Sequence, residues 1–369
     1  MAPKLYPYGV FISRVQPPHK AHIASIRQAL QSAGRVAILI GSCRQAPSIK
    51  NPFSFEQRAA MLASCFTEDE LTRLQFCPLR DYPYSNTGWQ VEVQRTLAEF
   101  TADNPPARSG WKDSVALFGH DKDSSTFYLK MFPQLTFVDT GWNAEIGKIC
   151  ASDVRVGYFE GKQDFREYVP EPVAEWMSGF MSTAAYRNLV AEHEFVIRFK
   201  DSWKAAPYPP TFNTADAIVM VSGHVLLVVR GGFPGKGLLA LPGGYLNQDE
   251  TLVECALREL KEETGLQVER KKLLAGLQVQ HTFDHPNRSS RGRVITEAFG
   301  IRLEDSRDRM LPGIRSRGGD DAKGALWMPI YECYRQTERF FEDHLSIIEW
   351  FQDKLEEKFP FTFRAETTR

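Results

Sequence analysis

The strongest constraint on the fold is an alternation running through the first half of the chain. Tyr8–Ser13, Val36–Ser42, Leu74–Pro78, Val115–Gly119 and Leu135–Asp139 read as strands, with Ala21–Ala33, Phe55–Cys65, Trp89–Phe100 and Ser125–Met131 as helices between them. Strands spaced by helices of about ten residues form βαβ units, which imply a parallel sheet. Pro172–Met181 and Tyr186–Ala191 add helix. Lys204–Asn213 then gathers three prolines, each fixing φ and removing a backbone donor, as in a stiff linker. Beyond it the character changes. Ala217–Val221 and Val225–Val229 flank Ser222-Gly223-His224, a hairpin signal, and later strands are not regularly interleaved with helices. The expected organisation is α/β throughout: a parallel-sheet domain over 1–204, a linker over 205–213 and a second domain over 214–369. At about 150 residues per domain the chain length agrees with two.

The composition excludes several classes of function. The chain has 45 Lys+Arg against 46 Asp+Glu, a balance unsuited to holding nucleic acid or an anionic membrane by bulk charge. No apolar run approaches the roughly 18 residues of a spanning helix, and no leader pattern opens the sequence. The six cysteines are scattered, without a C-x-x-C pair, which argues against a disulfide framework and against a structural zinc site. A soluble cytoplasmic protein without nucleic-acid or membrane partners is expected. Its oligomeric state is open, a homo-oligomer included.

The second domain carries a dense carboxylate pattern. At about 100° per residue, Glu259, Glu262 and Glu263 share one helical arc of about 100°, while Val253, Ala256, Leu257, Leu260 and Thr264 fill the neighbouring arc and would pack on a sheet. Like charges so placed repel, and a divalent cation with oxygen preference, Mg²⁺ or Mn²⁺, would turn repulsion into coordination. An amphipathic helix with a solvated acidic face is the other reading of those three glutamates. Pro242-Gly243-Gly244 allows a sharp turn and a close backbone approach to metal or phosphate, and Arg258 is placed to hold one glutamate. The full string, Gly244, Glu250, Arg258-Glu259-Leu260, Glu262-Glu263 and Gly265-Leu266, resembles the Nudix box at every defined position. The resemblance implies an α/β/α sandwich and metal-assisted hydrolysis of a nucleoside diphosphate linked to another group. It implies Glu259 and Glu263 as metal ligands, Glu262 as a third ligand or base, and the Gly243 carbonyl as a further ligand. Downstream, Arg288, Arg291 and Arg293 would clamp a pyrophosphate or form a solvated basic turn. This stretch is similar to one in Nudix proteins that take ADP-ribose, although Pro286 falls a few residues late for the commonest ADP-ribose group.

In the first domain, Pro17-Pro18-His19-Lys20-Ala21-His22 joins a strand to a helix. Helix N-termini attract phosphate, and two imidazoles at i,i+3 would donate to charge developing there. Ser13-Arg14-Val15-Gln16-Pro17-Pro18-His19-Lys20-Ala21-His22 resembles the opening motif of archaeal-type NMN adenylyltransferases, within the H-x-G-H nucleotidyltransferases. Further blocks are similar to that family: Gly41-Ser42, Ser48-Ile49-Lys50-Asn51-Pro52-Phe53 with Arg58, Asn86 with Trp89, and Ile149-Cys150-Ala151-Ser152-Asp153-Val154-Arg155. The resemblance covers about residues 6–160. It implies His19, His22, Lys50 and Arg155 in catalysis, and Arg14 and Ser152 on the nucleotide. Asn86 and Trp89 would meet the nicotinamide. Gly119, at a strand end where open sheets bind ligands, and Lys122 would contact nucleotide, or their loop is only a helix cap. Ser13, Val15, Ala21 and Lys50 depart from the family's glycine, phenylalanine, glycine and arginine, and Lys50 keeps the charge without the bidentate fork.

The two resemblances, in this order, are those of the bifunctional NMN adenylyltransferase/Nudix hydrolases. They imply a Rossmann-like nucleotidyltransferase domain followed by a Nudix domain. The implied partners are ATP, NMN, NAD and ADP-ribose. Two other expectations stand beside this one: a hydrolase whose first domain only binds nucleotide, and a regulator that senses ADP-ribose.

Overall fold

The computed structural model describes residues 6–102, 111–121, 124–141, 149–305, 310–315 and 322–357. Lys122 lies outside the described residues. The chain divides into two compact units, residues 1–193 and 194–369.

In the first unit five strands, β1 (Tyr6–Ser13), β2 (Ala33–Cys43), β3 (Leu74–Arg80), β4 (Val115–Gly119) and β5 (Thr136–Asp139), form a sheet of order β3-β2-β1-β4-β5. Every pairing is parallel. Between them run α1 (Lys20–Ser32), α2 (Phe55–Ala63), α3 (Glu68–Thr72), α4 (Asn86–Phe100) and α5 (Trp111–Ser114). Successive strand residues face opposite sides, and both sides are covered. Val10 and Ile12 of β1 pack in one core with Val93, Leu97 and Phe100 of α4, and Phe11 packs in another with Ile23, Ile26 and Leu30 of α1. The chain winds outward from β1 through β2 to β3, then returns to β4 on the opposite side. The crevice beyond the ends of β1 and β4 is therefore the topological switch point, where open α/β sheets bind ligands.

A helical layer follows: α6 (Ala151–Phe159), α7 (Phe165–Tyr168), α8 (Glu171–Phe180) and α9 (Ala184–Asp201). Its core joins Val154, Tyr158, Phe165, Val173 and Met177 to Phe53 and to Met61 of α2. Two of the expected helices take another form. Ser124–Lys130 is a 3₁₀ helix. The helix expected over 186–191 runs on to Asp201, because Glu192 and His193, which break the apolar period, are themselves buried. Its later turns continue the period with Phe195 and Phe199, whose rings stack at 6.4 Å.

The second unit holds β6 (Thr211–Val221), β7 (His224–Arg230), β8 (Leu239–Ala240), β9 (Gly243–Tyr245), α10 (Leu252–Thr264), α11 (Arg270–Gly276), β10 (Leu277–Phe283), β11 (Arg293–Arg302), β12 (Ala322–Pro329), α12 (Ile330–Arg335) and α13 (His344–Glu357). The mixed sheet has the order β10-β11-β6-β7-β12, with β9 beside β6 and β8 beside β7. β11 and β6 run parallel, and Thr211 of the proline-rich segment already pairs with Arg293. Cys255, Ala256, Leu257 and Leu260 of α10 pack on Ala215, Ala217 and Val219 of β6 and on Phe299 of β11. On the other face a Cβ at Gly300 would lie 2.5 Å from the Phe351 ring of α13, so glycine lets that helix approach the strand. Helices thus cover both faces.

Candidate active sites

At the end of β1 the backbone turns sharply. Val15 holds φ at 44°, a left-handed conformation costly for a β-branched residue, and the following Gln16-Pro17 bond is cis. His19, extended, caps α1. Its N–H donates to His22 Nδ1 at 3.2 Å, and the two rings stack with centroids 3.5 Å apart. Since that nitrogen accepts, neutral His22 carries its proton on Nε2, 3.2 Å from Ser13 Oγ. His22 is thereby set up as an Nε2–H donor beside the open N–H groups of α1.

Arg155 of α6 is buried and donates to Gln16 O (2.6 Å), to Ala151 O (3.1 Å) and to Ser152 Oγ (3.1 Å). Burial first, and the nearby charge of Arg14 second, bring its pKa down to about 10. Two guanidiniums within reach of each other, one of them desolvated, make a place for an anion. Arg58, absent from the candidate set, is 1% exposed and donates to Arg14 O (2.7 Å), Gly41 O (2.6 Å) and Ser42 O (3.3 Å). It ties the turn after β1 to the last residues of β2. Asp81, which no motif marks, accepts from the Ser42 N–H and hydroxyl at 3.1 and 2.6 Å. Such bonds to main-chain groups leave no spacing in a sequence that would reveal them.

The structure therefore gathers Ser13, Arg14, His19, His22, Ser152 and Arg155 around one turn. Lys50 stands on the neighbouring loop, half-buried. Asn86 is exposed in the first turn of α4, whose cap is Ser85 Oγ, accepting from Gly88 N–H at 3.0 Å. Trp89 meets Tyr128 and Phe132 at centroid distances of 6.1 and 5.6 Å, and Tyr128 OH donates to Ile12 O at 3.3 Å. Trp89 thus approaches the end of β1 from the α4 side. At Gly119 a Cβ would lie 2.8 Å from Leu129, so packing already accounts for a glycine there.

In the second unit the site begins with the ends of α10. Thr251 caps the helix in a reciprocal box with Glu254, and Gly265 ends it at φ 56°. Arg258 donates to Glu250 (2.7 and 2.9 Å), Glu259 (2.8 Å) and Glu262 (3.0 Å), and also to Tyr245 O (3.3 Å). These bonds hold the Glu250 carboxyl down at about 2. Glu263 accepts from Gly243 N–H at 3.0 Å. Burial pushes its pKa up to about 8 and raises that of Glu259. A Cβ on Gly244 would lie 2.2 Å from Glu259 Oε1, so the glycine turn and this carboxylate share one cradle.

No group of three His, Cys, Asp or Glu side chains converges as a metal cage among the described residues, because Arg258 occupies Glu259 and Glu262. The donor set nevertheless fits a hard cation. Two desolvated carboxylates and a backbone turn offer only oxygen as ligands.

The three downstream arginines separate. Arg288 forms a bidentate pair with Asp343 at 2.9 Å, with side chains only 4% and 7% exposed, and is closed to a ligand in this arrangement. Arg291 lies over the Tyr245 and Phe341 rings and donates to Tyr245 OH at 3.0 Å. Arg293 binds the Asp284 carbonyl. Arg230, not singled out in the sequence, lies 4.0 Å above the Phe341 ring, and its charge reaches Glu263. An isolated arginine at a strand end has no pattern to mark it.

A parallel sheet with a phosphate-type turn at its switch point, and a mixed sheet carrying a carboxylate helix, define a two-site enzyme of nucleotide chemistry. The comparisons agree. Residues 10–107 match the cytidylyltransferase-like model and residues 211–351 the NUDIX domain model. A bifunctional NMN adenylyltransferase/ADP ribose pyrophosphatase from Francisella tularensis, solved with AMP and a Mn ion, is similar at 34% identity and TM-score 0.85, over 95% of this chain and 99% of that one. The nicotinamide/nicotinic acid mononucleotide adenylyltransferase of Acinetobacter baylyi is 32% identical over 50% of this chain and 92% of its own length. The ADP-ribose pyrophosphatase of Methanocaldococcus jannaschii is 35% identical over 35% of this chain and 69% of its own. The chain belongs to the bifunctional NMN adenylyltransferase/ADP-ribose pyrophosphatase family.

Proposed function

We propose that the chain catalyses two reactions of NAD metabolism. The first unit transfers the adenylyl group of ATP to NMN, forming NAD and pyrophosphate; the second hydrolyses ADP-ribose to AMP and ribose 5-phosphate. The observation that carries this reading is that each unit brings together its own groups: the stacked histidines with Arg14 and Arg155 in one, and the Arg258–glutamate array with the Gly243–Glu263 bond in the other.

In the first reaction the NMN phosphate attacks the α-phosphorus of ATP in line, the bond to the pyrophosphate oxygen breaks, and no group becomes attached to the protein. Positioning and charge stabilisation are then the whole task. His22 donates from Nε2 to the phosphoryl oxygens, His19 and the α1 N-terminus add donors, and Arg14, Lys50, Ser152 and Arg155 hold the leaving phosphates. Asn86 and Trp89 receive the nicotinamide, and Gly119 borders the nucleotide. In the second reaction Glu259, Glu263 and the Gly243 carbonyl would hold the metal, proposed as Mg²⁺, with Glu262 as a third ligand or as the base that takes a proton from water. When bound, the cation would supply Lewis acidity. Arg291, with Arg230 beside it, holds the pyrophosphate, while Arg293 borders the same loop; Arg288 fixes that loop in place. Among the described residues no helix is long and apolar enough to cross a membrane, and the cytoplasm is the proposed compartment.

The test is a substrate panel on the purified chain with Mg²⁺: NMN with ATP, nicotinate mononucleotide with ATP, ADP-ribose, NADH and diadenosine polyphosphates. NAD from the first mixture and AMP from ADP-ribose are expected. Absence of NAD formation would leave a hydrolase with a nucleotide-binding relic.

A further inference from the structure

Three segments must hold register for adenylyl transfer at the first site: the turn carrying Arg14 and His19, the loop carrying Lys50, and the first turns of α6 carrying Ser152 and Arg155. They are separate in sequence, and one residue touches all three. Gln16 is 2% exposed. Its amide donates from Nε2 to Phe53 O at 2.8 Å, and its Oε1 accepts from Phe53 N–H at 3.2 Å, a two-way pairing with the main chain three residues after Lys50. Its own carbonyl accepts from Arg155 Nη1 at 2.6 Å. Phe53 is in turn seated against Trp176 and Phe180, with ring centroids at 5.4 Å in both cases, so the far side of the pairing cannot drift.

We infer that Gln16 is a positioning residue for adenylyl transfer, joining the histidine turn, the Lys50 loop and Arg155 into one rigid frame through its side-chain amide and its carbonyl. The inference rests on the adenylyl-transfer reading of this site. Gln16 touches no reacting atom in it; its effect passes through the groups it aligns. A buried amide satisfied on both sides costs little to keep and much to lose, because either missing bond leaves a Phe53 main-chain group unpaired in the interior.

The chemistry of the pairing supplies a test that packing alone would not answer. A protonated Glu at position 16 has the same shape and the same one-donor, one-acceptor pattern as the amide; an ionised one can only accept and faces the Phe53 carbonyl. Burial and that carbonyl favour the neutral form, placing its titration above the ordinary glutamate value of about 4.3. The charged groups around the knot are Arg155 on the Gln16 carbonyl, Arg14 two residues earlier and Arg58 on the Arg14 carbonyl, with His19 and His22 following in the same turn. The arginines stay charged across the range, and the histidines are common to both proteins, so a ratio to the unmutated chain isolates position 16.

The full chain and Gln16→Glu are compared for NAD synthesis from about pH 5.5 to about pH 8.5, with melting followed in parallel. The expected ratio of kcat values is within about threefold of unity at the acid end and falls about 10²-fold at the alkaline end, with a smaller change in KM for ATP and NMN. A ratio near unity across the whole range overturns the inference. Should Gln16→Glu fail to fold, Gln16→Met, which keeps the length and removes the amide, decides: a kcat about 10²-fold low at every pH supports the frame, and an unchanged kcat removes it. No NAD synthesis by the unmutated chain would instead bring down the adenylyl-transfer reading itself.

Discussion

Arg258 shows how one side chain organises a site it does not have to enter. It binds three glutamates and a main-chain carbonyl, so its planar fork fixes where Glu259 and Glu262 point. Arg258→Lys keeps the charge and loses the fork. ADP-ribose hydrolysis is expected to fall about 10–100-fold with a weakened metal requirement curve, while NAD synthesis stays unchanged. The arginines downstream make a contrasting pair. Arg288→Ala strands a buried Asp343 carboxylate and is expected to cost about 3–5 kcal/mol of stability, read as a lowered melting temperature. Arg291→Ala leaves melting nearly unchanged and raises KM for ADP-ribose about tenfold or more. Sequence placed these two in one group because a run of arginines looks alike; only the partner on another loop distinguishes them. The histidine pair and the carboxylate string were legible because their chemistry demands a spacing. Gln16, Arg58, Asp81 and Arg230 were not identified by role, since their partners lie far along the chain or on the backbone.

At the scale of elements, the strand and helix alternation of the first unit was readable because both faces of its sheet are buried, so apolar runs mark strands directly. Polar interruptions were harder. The apolar period of α9 breaks at Glu192 and His193, and β8 and β9, two and three residues long, offer no period at all. Yet β9 matters most, since its glycines bring the backbone onto Glu259 and Glu263. α10 ends at Gly265, which takes φ 56° and would place a Cβ 2.3 Å from Arg315 O. Gly265→Ala is therefore expected to destabilise the chain by more than about 1 kcal/mol, visible as a lower midpoint in urea unfolding. An unchanged midpoint would mean that the segment carrying Arg315 yields freely.

At the scale of the whole molecule, two units with separate cores carry two separate sets of chemical groups. Among the described residues, the groups gathered at the first site do not include Glu263 and those at the second do not include His22. The two reactions are therefore expected to proceed independently, and assays of NAD synthesis and ADP-ribose hydrolysis in the same preparations of the unmutated chain, His22→Ala and Glu263→Gln decide it. Loss of one preorganised donor is expected to lower NAD synthesis in His22→Ala by about 10²–10³-fold, chiefly in kcat, with hydrolysis unchanged. Glu263→Gln should lose hydrolysis by orders of magnitude and keep NAD synthesis. A substitution that removed both activities from a folded protein, or full NAD synthesis by His22→Ala, would contradict the account.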